Sequence, residues 1–199
     1  MTKGRLEAFT DGVLAIIITI MVLEMQVPEG GTFEDLKAVL PVFLSYVLSF
    51  IYVAIYWNNH HHMMQTVKHV TGNMLWANMH LLFWLSLIPF VTGWMGENNF
   101  TPASVFLYGV VLFGAAITYF ILQTAIVNHH GKDSLLPKAL GKDLKGKISP
   151  FIYAFGFVSA FYNVWISGAA YIIMAFVWLI PDRRIENALK NENNKQKEN

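Results

Sequence analysis

Apolar positions in this chain fall in long unbroken runs rather than in the alternation of a half-buried strand, and short polar or Gly- and Pro-containing stretches part them. The run from Leu6 to Met25 holds only Glu7, Asp11 and Glu24 as charged residues, and at 1.5 Å per residue it reaches about 30 Å, one hydrocarbon thickness. Three more runs of spanning length follow, separated by PEGG, by the polar NNHHHMMQ and by GENNFTP. The fifth, Ile148–Ile180, would extend about 50 Å as one helix, too long for one crossing and slightly short for two. It reads as a tight helical hairpin breaking near Tyr162–Asn163. The pattern predicts an all-α integral membrane protein with six transmembrane helices per chain, over about 6–26, 37–58, 73–95, 103–128, 148–162 and 163–180. They are expected to make a single domain over 1–182, with 183–199 a polar, disordered tail and GKDSLLPKALGKDLKGK forming a short surface helix.

Composition supports the same class. The chain of 199 residues is 55% hydrophobic and 14% charged, whereas a soluble domain carries about a quarter charged residues. A net charge of +1 provides no basic field for nucleic acid, and the absence of cysteine excludes a disulfide scaffold, a thiol nucleophile and Cys-ligated metal sites. Lys3 and Arg5 resemble the basic start of a signal peptide, but no small-residue cleavage site follows the first run. In a six-span topology thirteen of the fourteen basic residues lie on one face, leaving only Lys37 on the other, which places both termini in the cytoplasm. No internal duplication is visible, so a pore or symmetric site must come from several copies.

Charged residues inside a span are costly, which makes Glu7, Asp11 and Glu24 candidates for function. At about 100° per residue, Phe9, Gly12, Ile16, Thr19, Ile20, Leu23 and Val27 share one stripe, and Asp11 lies about 140° from Ile16. A stripe facing a pore would present rings of Ile, Thr and Leu, a hydrophobic constriction that filters ions by how readily they shed water. Facing lipid or other helices, the same residues would be ordinary apolar surface. With the stripe toward a pore, Asp11 is expected to point into its own bundle, toward the donors Trp57, His60 or His61, Trp76, Asn78 and His80.

The His60–His62 run and the His129–His130 pair suggest a metal hydrolase, yet adjacent histidines on a helix diverge by about 100° and no H-E-x-x-H occurs; no metal site is expected. A proton-coupled secondary transporter using Asp11, Glu7 and His80 is the rival reading, opposed by the lack of an inverted repeat, although Pro89 and Gly93 interrupt the third span. The acids Glu24, Glu29, Glu34 and Asp35 on the outer side either concentrate cations or form a solvated loop face.

The opening RLEAFTDGVLAIIITIMVLEM, Arg5–Met25, resembles the first-helix signature, R-x-x-x-F-S-D and an Ile-rich run with a Thr, of the prokaryotic relatives of the lysosomal potassium channel called transmembrane protein 175. YWNNHH at Tyr56–His61, WANMHLLFWLSLIPFVT at Trp76–Thr92 and WLIPDRRIE at Trp178–Glu186 extend the similarity along nearly the whole chain; Thr10 stands where the family has Ser. The resemblance implies a passive, potassium-favouring leak channel of a prokaryotic plasma membrane, not an enzyme, without cofactor and without a TVGYG-type carbonyl filter. It implies a homotetramer in the lipid bilayer with first helices around a central pore. By the same resemblance Ile16, Thr19 and Leu23 would form the constriction, with Gly12, Ile20 and Val27 as further lining. Arg5, Phe9, Thr10 and Asp11 would form a structural network, with Trp57, His60, His61, Trp76 and Asn78 as candidate partners.

Overall fold

The computed structural model describes residues 2–131, 134–141 and 143–179; the expected tail at 183–199 lies outside them. Within these residues all regular structure is helical, and each apolar run has become one helix or a pair of helices whose ends are set by local chemistry. The first, α1 (Lys3–Leu23), stops at Glu24, short of Pro28 and the Gly30–Gly31 pair. A capping box, Thr32 and Asp35 bonding reciprocally, starts the five-residue α2 (Phe33–Lys37). Pro41 sits in the first turn of α3 (Leu40–Gln65), where its missing N–H costs nothing.

Helix α3 runs seven residues past the expected end at 58, through NNHHHMMQ, whose polarity marks it as a separator. The reason is burial: Asn59, His60, Met63 and Met64 all turn inward, and Asn59 donates its side-chain N–H to the Ile55 carbonyl at 2.8 Å. The Thr71 hydroxyl accepts from Met74 N and caps α4 (Gly72–Ser86). α5 (Ile88–Glu97) continues it after a break at Leu87, two residues before Pro89, whose ring cannot coexist with an unbroken helix ladder. Together they form one apolar stretch, Gly72–Glu97, of spanning length.

Pro102 opens the long α6 (Pro102–His130), and Gly131, at φ +87°, closes it in a backbone region that favours glycine. The expected surface helix is present as α7 (Leu135–Leu140). α8 (Leu144–Ser159) and α9 (Val164–Leu179) flank a turn at 160–163, the predicted hairpin break. Four helical stretches are long and apolar enough to cross a membrane: Lys3–Leu23, Leu40–Gln65, Gly72–Glu97 and Pro102–His130. α8 and α9, at 16 residues each, are shorter. The all-α membrane fold is therefore present.

The core lies where α6 meets α4, α8 and α9, with α3 closing one side. Tyr171 is buried there against Gly109 and Gly156, either of which would collide with it if it carried a Cβ. Its hydroxyl donates to the Val105 carbonyl at 3.2 Å, and its own carbonyl accepts from Tyr52 at 2.6 Å, so one residue ties α9 to α6 and α3. α1 stands at the margin of this bundle, packed only on α3, α4 and α5 among its stronger contacts.

Candidate functional site

α1 has two unlike faces. Leu6, Thr10, Leu14, Ile17 and Met21 recur at spacings of three and four and are buried against the bundle. Opposite them, Gly12, Ile16, Thr19, Ile20 and Leu23 are uncovered, as is Val27 beyond the helix end; Ile16 keeps 60% and Leu23 76% of its surface. A Cβ built on Gly12 would meet nothing. The residues that share the Ile16 stripe are thus all bare in the single chain, with Ala8, Asp11, Ala15 and Val22 exposed beside them. The Thr19 hydroxyl donates to Ala15 O at 2.9 Å, so its hydrogen is committed to the helix and its oxygen lone pair is left to accept from water or bind a cation.

Thr10 and Asp11, neighbours in the sequence, go to different places. Thr10 is buried, and its hydroxyl oxygen accepts from the Asn78 side-chain N–H at 2.9 Å. The Asn78 Oδ1 lies 2.9 Å from His60 Nε2; a carbonyl oxygen only accepts, so His60 carries its proton on Nε2. This relay joins α1, α4 and α3 through a fully buried carboxamide, and the methyl that distinguishes Thr10 from Ser leaves the hydroxyl bond in place. Asp11 does not point into the bundle as expected. It is exposed at the rim, where Trp57 Nε1–H donates to it at 3.0 Å. One residue along a helix is a rotation of about 100°, so the turn that aims Thr10 at α4 carries Asp11 past it. Trp57 stacks on His61 with ring centres 6.0 Å apart, and the His61 Nε2 meets Gln65 at 2.9 Å.

Of the other candidate members, Arg5 and Phe9 are exposed on the Ile16 side, about 120° or more from Asp11, and Trp76 is 79% exposed; the structure does not bring them into this network. His80 accepts from Trp84, one turn away, and among the described residues no hydrogen bond joins it to Glu7 or Asp11. Among those residues, too, no three His, Asp or Glu side chains are arranged to hold a metal ion.

At the far end of α1, Glu34 is paired with Lys37 at 2.7 Å. The Thr32 hydroxyl and N–H bond to Asp35 and hold its carboxyl below the ordinary value. Glu24, Glu29, Asp35 and Glu97 line a groove of about 540 Å³ there.

Sequence reasoning missed a line of buried polar groups on α3: Ser45, Ser49, Tyr52, Tyr56 and Asn59. Thr92 donates to Ile88 O, so Ser49 must donate to Thr92, at 2.6 Å, and Tyr108 to Ser49, at 3.0 Å. Further along, Tyr56, Asn59, Tyr119, Ser149 and Tyr153 border a cavity of about 30 Å³, room for about two waters. The signal was the recurrence of hydroxyls every three to four residues within an otherwise apolar run.

The family model described as "Endosomal/lysosomal potassium channel TMEM175" matches residues 5–89, from α1 to the Pro89 break. A potassium channel of Chryseobacterium sp. is 54% identical over 96% of this chain and 99% of its own length. One from Streptomyces collinus is 32% identical over 59% of this chain and 61% of its own. The crystal structure of a lysosomal potassium-selective channel TMEM175 homolog from Chamaesiphon minutus superposes with a TM-score of 0.78 at 26% identity, covering 90% of this chain and 97% of that one.

Proposed function

Since the chain belongs to the TMEM175 family, one of ion channels and not of enzymes, we propose that it is a passive, potassium-favouring cation channel assembled from four copies. Six spans within 1–182, with α8 and α9 as the last two, both termini in the cytoplasm and a prokaryotic plasma membrane as its location, complete the reading; it needs no cofactor, and potassium is what passes. The observation that carries it is the bare apolar stripe of α1, since a helix at the edge of its own bundle with Ile16 and Leu23 uncovered needs something other than that bundle beside it.

Four α1 helices around an axis turn the stripe into rings. At the Ile16 ring a cation gives up part of its water, and the Thr19 oxygens replace some of the lost contacts. With no fixed charge at the narrow part, selectivity is modest and follows potassium's lower dehydration cost relative to sodium. Thr10 and Asp11 set the rotation of α1 through Asn78, His60 and Trp57, while Gly12, Ile20 and Val27 extend the lining. Glu24, Glu29 and Glu97 concentrate cations at the outer groove.

The test is potassium flux into liposomes under an imposed gradient, with wild type, Ile16→Asn and empty liposomes side by side. Wild type should conduct, and the variant, with a carboxamide in place of each ring member, should conduct faster and discriminate less. Silence from correctly inserted wild type, or an unchanged Ile16→Asn, overturns the assignment.

A further inference from the structure

The two adjacent histidines that close α6 are unlike. His129 is exposed, whereas His130 is half-buried with both ring nitrogens engaged. Its Nδ1 lies 3.0 Å from Ile126 O, one turn back, and its Nε2 lies 3.2 Å from the backbone nitrogen of Lys68 in the turn between α3 and α4. A backbone N–H only donates, so Nε2 must accept with a bare lone pair, and Nδ1 must carry the hydrogen that goes to the Ile126 carbonyl. Both contacts together fit one neutral tautomer. A second proton on this ring would set N–H against N–H, and the contact with Lys68 would have to open.

That contact holds a junction. Thr66 and Val67 still bond back into α3, but Lys68 N lies beyond the helix ladder and is received by His130. Val67 is buried, and Thr71, three residues after Lys68, caps α4. α4 in turn carries Asn78, which grips Thr10 of α1. Among the described residues, the charged and titratable groups on the α3 end, the turn, α4, α6 and α7 are basic: Lys68 and His69 on the turn, His61 and His62 at the end of α3, His80 on α4, His129 with its ring centre 5.0 Å away, and Lys138 on α7. α4, α6 and α7 carry no acid, and Asp143, which faces α6 from the start of α8, is already bonded to Gln123 at 2.8 Å. A positive His130 would therefore meet no free carboxylate on these elements.

We propose that His130 is a proton-released clasp between the end of α6 and the α3–α4 turn, closed while the imidazole is neutral and open once it is charged, and that its opening loosens α4's hold on α1 and slows conduction. Only the side of the membrane whose pH it reads, the cytoplasm, and its effect on flux rest on the function proposed above; the clasp itself does not.

The test compares wild type with His130→Gln, whose Oε1 can accept from Lys68 N–H at any pH and cannot charge. Hydrogen exchange of residues 66–71 is followed in the purified full chain in nanodiscs at pH 7.5 and 5.5, corrected for intrinsic exchange rates. Wild-type protection should fall by up to about tenfold per pH unit as the ring takes up a proton, while the variant holds its protection. His61, His62, His69 and His129 remain in the variant, so a general acid effect would appear in both proteins. Equal loss in both, or no loss in wild type, overturns the clasp. In liposomes, internal acidification should slow wild-type potassium flux at least about twofold and leave His130→Gln unchanged. A pH response shared by both refutes the coupling, and an absence of flux at every pH counts against the channel reading instead of against the clasp.

Discussion

A carboxamide can donate and accept at the same end of one neutral side chain, and Asn78 uses both capacities in a place with no access to water. Replacing it with Leu keeps the branched shape, with bulkier methyl ends, but strands the Thr10 hydroxyl and the His60 Nε2–H. The expected loss is about 2 kcal/mol or more, read as a lower thermal unfolding midpoint in detergent, because each buried unpaired group costs about 1–3 kcal/mol. Trp76→Ala, on the exposed side of the same helix, is the control and should shift stability by less than about 0.5 kcal/mol. The sequence carried part of this. Angular spacing separated Ile16 from Asp11, and the expected topology offered Trp57, His60 and Asn78 as partners; the structure bonds Trp57 to Asp11 and Asn78 to Thr10, with His60 reaching α1 only through Asn78. Spacing gives angles between side chains, though, and not the direction in which a neighbouring helix lies. Asp11 therefore reads as inward although the inward residue is Thr10, while Arg5, given to the network by the family resemblance and not by spacing, is exposed on the Ile16 side.

At the level of elements, the runs were legible because a span must be long and apolar, and because Pro and Gly end helices for local reasons. The break ahead of Pro89 and the hairpin at 160–163 both followed from the chain itself. NNHHHMMQ did not, since its average polarity hid that half its residues face inward. Tyr171 was likewise invisible: that α6 and α8 approach α9 through Gly109 and Gly156 depends on which helices are neighbours. Gly109→Leu should drive those helices apart and unfold the α6–α8–α9 side, seen as loss of a monodisperse particle on size-exclusion chromatography. Gly12→Ala, in open space on α1, should leave the elution profile unchanged.

For the whole molecule, the proposed four-fold assembly makes the bare α1 stripe a set of rings, and on that proposal conduction depends on ring size. Ile16→Ala and Leu23→Ala should each widen the passage and lower the potassium-to-sodium permeability ratio, measured as a shift in reversal potential under biionic conditions, with Ile16 the more sensitive if its ring is the narrower. Unequal helix lengths have a further outcome at this scale. α6, with 29 residues, extends about 43 Å, while α8 and α9, with 16 each, reach about 24 Å, less than the roughly 30 Å of a lipid hydrocarbon layer. In the six-span arrangement the α8–α9 hairpin bears outward Phe151, Phe155, Phe161 and Phe176, so acyl chains beside it are drawn thin while those along α6 are not. In the proposed tetramer each subunit would then wear a lopsided collar of lipid, with short-chain lipids gathered at the hairpin side, a preference for thin membranes that a central passage alone would not impose.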